Sequence, residues 1–91
     1  MSMSSGVYAW LYPNPVYSTA KLEIILDRPY TLQVTIWNNM GQLVQTLGGP
    51  EHFPAGQVVK LIDPANLLPG IYQVSVMIDN KRYNLKMMVA K

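Results

Sequence analysis

The chain has 91 residues, of which 49% are hydrophobic, 13% are charged and none is cysteine. This length suits one small domain with a single core, and the lack of cysteine excludes disulfides and thiolate metal sites. A net charge of +2 provides no basic stripe for phosphate neutralisation, so we expect no nucleic-acid partner. The sequence has no run of about 18 apolar residues, which excludes a membrane-spanning helix.

Alternating apolar and polar residues predict β-strands along the whole chain, and no window has the apolar spacing of an amphipathic helix. Residues 1–6 lack the features of a signal peptide, so we interpret them as a linker or as residues left from expression. Residues 48–56 are predicted to form a loop because they contain several glycines and prolines. The predicted strands span residues 7–11, 21–26, 32–38, 42–47, 57–62, 71–78 and 81–91.

Short strands separated by turn residues are typical of two antiparallel sheets that pack face to face. We therefore predict an all-β fold, an immunoglobulin-like antiparallel β-sandwich of about seven strands. Residues 1–11 are assigned to the linker together with the first strand, and residues 12–91 to the domain proper.

The last two strands form the hairpin with the best-defined register. A two-residue turn at Asp79 and Asn80 places alternate residues of both strands on the core face. The pairs are Val76 with Tyr83, Val74 with Leu85 and Tyr72 with Met87. The outer face is then a mixed polar surface formed by Gln73, Ser75, Arg82, Asn84 and Lys86, with Ile71, Met77 and Met88 as exceptions.

Tyr72 lies at the start of the penultimate strand, after Leu68-Pro69-Gly70. In one interpretation it forms a tyrosine corner, with its hydroxyl bonded to the backbone a few residues upstream. In the other it is a core aromatic without that bond. We expect a partner in either case, since burying an unpaired hydroxyl costs about 1 to 3 kcal/mol.

Positive charge is concentrated in the last strand, at Lys81, Arg82, Lys86 and Lys91. One interpretation is an edge strand that its cations protect from aggregation. The other is a surface that a partner recognises.

Residues that could support catalysis are few and scattered. His52 is the only histidine, and Glu51 alone does not complete a metal site around it. The carboxylates fall mostly at turns, and the chain has neither a Gly-x-Ser-x-Gly elbow nor a glycine-rich phosphate loop. We therefore expect no enzymatic activity, no metal and no cofactor.

Carbohydrate binding, or a passive adhesive role in a surface protein, is the alternative function. Trp37 is predicted on the outer face of its strand, where an indole can stack on a sugar ring. The N-terminal segment could equally cover it through Trp10 or Tyr12.

Short motifs that contain prolines, glycines or C-terminal lysines occur at intervals along the chain. They are Tyr12-Pro13-Asn14-Pro15, Gly41 followed by Val44, Pro54-Ala55-Gly56, Leu68-Pro69-Gly70-Ile71-Tyr72 and the final Lys86-Met87-Met88-Val89-Ala90-Lys91. In order and spacing they resemble the C-terminal sorting domain of type IX secretion system cargo in Bacteroidetes. The resemblance covers residues 12–91.

This resemblance implies a role in protein transport. Such domains are immunoglobulin-like sandwiches that direct a larger cargo, fused upstream, from the periplasm through an outer-membrane translocon. A cell-surface sortase then removes the domain, and the cargo stays at the cell surface or is released. We expect the sortase to cut in or upstream of Ser4-Ser5-Gly6, where small exposed residues admit a protease.

The family motifs divide the matching positions into two groups. Those expected to maintain the fold are Pro13, Asn14, Pro15, Gly41, Gly56 and Pro69. Those expected to serve translocon recognition are Gly70, Tyr72, Lys86 and Lys91, with the lysines as the direct contacts. Pairing of the partner with the edge of the last strand is one mode of recognition, and a weak homodimer through the edges stays open.

The turn around Gly41 departs from the family pattern. The family often has aspartate and arginine beside this glycine, where the present chain has Asn38 and Gln42. The resemblance therefore does not support a salt bridge or charged recognition at this turn.

Overall fold

The computed structural model describes residues 2–90, and within them the chain forms nine β-strands and no helix. Each strand begins or ends near a glycine, a proline or a polar residue of the kind that favours turns. The strands are β1 (Ser2–Ser4), β2 (Val7–Tyr12), β3 (Ala20–Leu26), β4 (Tyr30–Asn38), β5 (Leu43–Thr46), β6 (Glu51–Phe53), β7 (Gly56–Ile62), β8 (Gly70–Ile78) and β9 (Lys81–Val89).

The strands form two antiparallel sheets. The first sheet has the order β1-β2-β3-β7, and the second has the order β5-β4-β8-β9. The short strand β6 also pairs with β4, along Tyr30–Leu32, whereas β5 pairs with Thr35–Trp37. The prediction of an all-β antiparallel sandwich is confirmed.

The core fills the space between the two sheets. In β4 every second side chain from Tyr30 to Ile36 is buried, and the side chains between them are only half-buried. Period-two alternation therefore separates the core face of this strand from its outer face. The largest fully buried side chains are Leu22, Ile24, Leu32, Ile36, Ile62 and Met87.

Two of the nine strands were not predicted. β6 lies inside residues 48–56, which were predicted to form a loop, and this part of the prediction is wrong. Three residues are too few to show an alternation pattern, and β6 exists because it pairs with the start of β4. β1 is equally short and pairs only with the start of β2.

Residues 2–12 form β1, a turn at Ser5 and Gly6, and β2. Met3, Val7 and Ala9 belong to the core. This segment, assigned to the linker and the first strand, therefore completes the first sheet. Where the sorting domain begins in the sequence stays a prediction.

The β8–β9 hairpin has the predicted register. Val76 pairs with Tyr83, Val74 with Leu85 and Tyr72 with Met87. At the turn Asp79 has a φ of 52°, and its carboxylate accepts a hydrogen bond from the Thr31 N–H at 2.9 Å. Aspartate tolerates this left-handed conformation better than most residues, which fixes the turn and hence the register.

Candidate recognition surface

The outer face of the second sheet is mainly polar, with a few apolar side chains, and carries no acidic residue across β4, β8 and β9. The alternation that buries the core residues of these strands turns the others outward. Arg82 and Lys86 are the cations of this face. Its members are Thr31, Gln33, Thr35 and Trp37 on β4, Ile71, Gln73, Ser75 and Met77 on β8, and Arg82, Asn84, Lys86 and Met88 on β9.

Trp37 and Arg82 lean towards each other over the middle strand of this face. The Trp37 Nε1–H donates to Thr35 Oγ1 at 2.9 Å, and the Arg82 guanidinium carbon lies 5.8 Å from the centroid of the indole ring. Ser75 lies on β8 between them, one row from each. It is only 3% exposed, so its predicted place on an exposed polar face needs correction: the neighbouring side chains cover it.

Trp37 is therefore held by contacts that the sequence did not reveal. Trp10 and Tyr12 do not cover it, because they lie on the outer face of the first sheet, where Trp10 stacks with Tyr8 at a ring-centroid distance of 6.2 Å. Arg82 faces its ring and Thr35 accepts from its N–H. The indole N–H is therefore already hydrogen-bonded, whereas the half-buried ring still lines a groove.

The turn after β4 is built by hydrogen bonds of one side chain. Asn38 Oδ1 accepts from the N–H groups of Met40 and Gln42, at 3.0 and 2.9 Å, and Asn38 Nδ2 donates to Gln42 Oε1 at 2.9 Å. Gly41 has a φ of +80°, in the left-handed region that glycine adopts at least cost. A neutral amide pair, Asn38 and Gln42, thus holds this turn.

A groove of about 430 Å³ runs along this face from Arg82 to the turn after β4. Its walls include Trp37, Gln73, Asn84, Asn39 and Gly41. The groove combines hydrogen-bonding amides with the Arg82 guanidinium and the Trp37 ring, a set of groups suited to a polar or anionic ligand.

One half of the outer edge of β9 is closed by the segment Asn14–Val16. The Asn14 side chain donates from Nδ2 to the Lys86 carbonyl at 2.8 Å and accepts at Oδ1 from the Met88 N–H at 3.0 Å. The Val16 N–H then donates to the Met88 carbonyl at 2.7 Å, and Ala90 N–H donates to the Val16 carbonyl at 2.9 Å. Asn14 acts here as a substitute for one peptide unit of a neighbouring strand.

The other half of this edge is open. Outward backbone groups alternate along an edge strand, and because those of Lys86 and Met88 point outward, those of Arg82 and Asn84 do so as well. Within residues 2–90, the N–H and C=O groups of Arg82 and Asn84 and the N–H of Lys86 have no partner. An unpaired stretch of edge of this kind can accept a strand from another protein.

The residues predicted to serve recognition occupy different environments. Lys86 is exposed on the outer face, whereas Tyr72 is buried and its hydroxyl donates to the Leu68 carbonyl at 2.6 Å. This bond confirms the tyrosine corner, through which Tyr72 positions the start of the hairpin. Gly70 begins β8 opposite Val89, with a φ of +156°. Lys91 lies outside the described residues, and the recognition role of all four residues stays a prediction.

The residues predicted to maintain the fold lie at turns and strand ends. Pro13 and Pro15 flank Asn14, and both follow cis peptide bonds. Gly56 begins β7 with a φ of +127°, and Pro69 precedes Gly70. Of this group, Asn14 is the one whose side chain joins distant parts of the chain.

The described residues contain no cluster of three or more side chains that could hold a metal ion. His52 is exposed on β6, where its Nδ1 lies 3.4 Å from Thr31 Oγ1. No helix in the described part of the chain is long and apolar enough to cross a membrane.

Comparisons with known proteins agree with this architecture. A crystal structure described as dimeric latent PorU from Porphyromonas gingivalis superimposes with a TM-score of 0.75 and 22% identity. The match covers 92% of this chain and 9% of that one, and at this identity it shows the fold alone. No curated protein sequence matches the chain. The model of the family described as secretion system C-terminal sorting domain matches residues 10–90. The chain therefore belongs to the family of type IX secretion system C-terminal sorting domains.

Proposed function

We propose that this domain is the export address of a larger cargo protein, and that the type IX translocon reads it at β9. The cargo is fused upstream, crosses the periplasm and leaves through the outer membrane. The domain itself catalyses nothing. Membership of the sorting-domain family supports export to the cell surface or beyond.

The observation that carries the choice of β9 is its half-open edge. The Arg82–Lys86 stretch offers unpaired backbone groups and two cations, while Asn14–Val16 holds the rest of the strand in place. A partner strand can therefore add to a strand that is already ordered, which lowers the entropic cost of binding. This arrangement is compatible with both interpretations of the cations in the last strand, recognition by a partner and protection of the edge, since cations on the open stretch also discourage unwanted pairing.

Removal by the sortase is the second part of the proposal. Cleavage upstream of β1 leaves the sandwich complete, because Met3 is buried and β1 is paired with β2. A cut within Ser4-Ser5-Gly6 would detach β1 from the sheet. N-terminal sequencing of the released domain tests this, and a domain that begins within or after β2 would contradict it.

An export assay tests the role of β9. The 91-residue chain is fused behind a periplasmic reporter in a type IX-competent host, and the exported fraction of the reporter is measured. We expect Asn84→Pro to reduce export at least about tenfold, because it removes an outward N–H that the β8–β9 ladder does not use. Lys86→Glu reverses the charge at the end of the same stretch and should also reduce export.

Lys21→Glu is the matched control, since it makes the same charge change on the outer face of the first sheet. Thermal melting of each purified variant verifies that it folds. Normal export of both folded β9 variants would refute recognition through this strand. Retention of the unmodified fusion in the periplasm would refute the export address itself.

A further inference from the structure

The Arg82 guanidinium has no anionic partner among the described residues. The ion pair found within residues 2–90 joins Lys60 to Glu51, at 3.5 Å and elsewhere in the fold. Asp79, the acidic residue nearest to Arg82 in sequence, accepts a hydrogen bond from the Thr31 backbone instead. The remaining outward residues of β4, β8 and β9 are neutral or cationic.

Arg28 shows the difference between a guanidinium with an anion and one without. Its guanidinium carbon also lies near an aromatic ring, 5.3 Å from the centroid of Tyr30. Its Nε–H donates to the Tyr30 hydroxyl at 2.9 Å, and that hydroxyl donates to Asp27 at 2.8 Å. This hydrogen bond to Tyr30 and the nearby charges raise the pKa of Arg28. Arg82 has the ring contact but no such acceptor.

Polar groups converge beside Arg82. Asn84 and Gln73 line the groove, and the Ser75 hydroxyl lies at its floor without a side-chain hydrogen bond to any described residue. The Trp37 ring restricts the guanidinium, so less side-chain entropy is lost when it binds. A planar fork with hydroxyl and amide donors is the arrangement that recognises a carboxylate.

We propose that this groove binds the carboxylate of an aspartate or glutamate carried by an extended segment of the protein partner that reads β9. The inference rests on the proposed function and adds the chemistry of the partner. A strand that pairs with the open edge at Asn84 places alternate side chains over the outer face, beside Arg82. The acid-free face makes the charge of that side chain complementary.

The test is a titration of the isotopically labelled 91-residue chain, followed by NMR. The probe is a blocked peptide, Thr-Val-Glu-Val-Thr, and its counterpart has glutamine in place of glutamate. We expect the glutamate peptide to bind at least about tenfold more tightly and to shift the Arg82 Nε–H and Trp37 indole signals. Its binding should weaken as the pH falls through about 4.3, the ordinary pKa of glutamate.

Arg82→Gln should abolish the preference for the glutamate peptide. The control is Arg28→Gln, the same change at the arginine that lies near the Tyr30 ring, and this variant should still prefer the glutamate peptide. Equal binding of the two peptides, or a preference that survives in folded Arg82→Gln, would overturn the proposal. Glucuronate binding as tightly as the peptide would overturn the choice of a protein partner. Export plays no part in this titration, so its outcome is separate from that of the reporter assay.

Discussion

Asn14 provides the sharpest test of how the edge of β9 is held. Its amide donates to the Lys86 carbonyl and accepts from the Met88 N–H, which only a side chain with both functions can do. Asn14→Asp keeps the acceptor and loses the donor. It also places a carboxylate oxygen against the Lys86 carbonyl, where the amide nitrogen lay at 2.8 Å.

The expected losses differ between two substitutions at this position. Asn14→Ala removes two hydrogen bonds, worth about 0.5 to 1.5 kcal/mol each, so the free energy of unfolding should fall by about 1 to 3 kcal/mol, towards the lower end because both bonds are exposed. Asn14→Asp should cost about 2 to 3 kcal/mol at neutral pH, because repulsion between two acceptors is added to the lost bond.

The stability of Asn14→Asp should also depend on pH, because the introduced carboxyl group can donate a hydrogen bond only when it is protonated. A protonated carboxyl can donate to the Lys86 carbonyl, so the folded state raises the pKa of the introduced group above its unfolded value of about 3.9. Its stabilising contribution is present below that value and is lost as the pH rises through the folded pKa. The deficit of Asn14→Asp relative to Asn14→Ala should therefore grow between about pH 3 and pH 7.

Urea unfolding followed by tryptophan fluorescence and circular dichroism measures these differences. Asn66→Asp is the control, because Asn66 is exposed and its side chain makes no hydrogen bond within the described residues. If Asn14→Asp were as stable as the unmodified chain at pH 7, or its deficit did not change with pH, the amide bridge would not hold this edge.

Two further predictions concern the turns. Tyr72→Phe should lower the free energy of unfolding by about 1 to 2 kcal/mol, because it deletes the 2.6 Å bond to the Leu68 carbonyl; Tyr83→Phe, without a side-chain hydrogen bond in the described residues, should change it little. Gly41→Ala should cost about 1 to 2 kcal/mol because alanine resists the left-handed conformation, whereas Gly49→Ala, at a glycine without a positive φ, should not. Equal effects within either pair in urea unfolding would contradict the reasoning.

Local chemistry explains why the β8–β9 hairpin could be predicted from sequence. The Asp79-Asn80 turn and the alternation around it determine one register, since a slip of one residue would turn Val74 and Val76 towards solvent. The tyrosine corner is local too, because Tyr72 and Leu68 are four residues apart. Interactions of this range leave a pattern in the sequence.

Long-range pairing explains what sequence analysis missed. Asn14 lies 72 residues from Lys86, and proline neighbours on both sides indicate only a turn. Ser75 is buried because Trp37 of β4 and Arg82 of β9 meet above it, across β8. No periodicity in one strand carries that information, so the outer face could be predicted to be polar but not to contain a groove.

The far edge of β4 has a consequence for concentrated preparations of this domain. β5 and β6 share that edge, each covering a few residues, so a strand from a second copy cannot run along it without displacing both. Linear polymers that grow through one sheet need two accessible edges on every subunit. With one edge divided between short strands and the opposite edge half closed, association through the second sheet should stop at pairs of molecules.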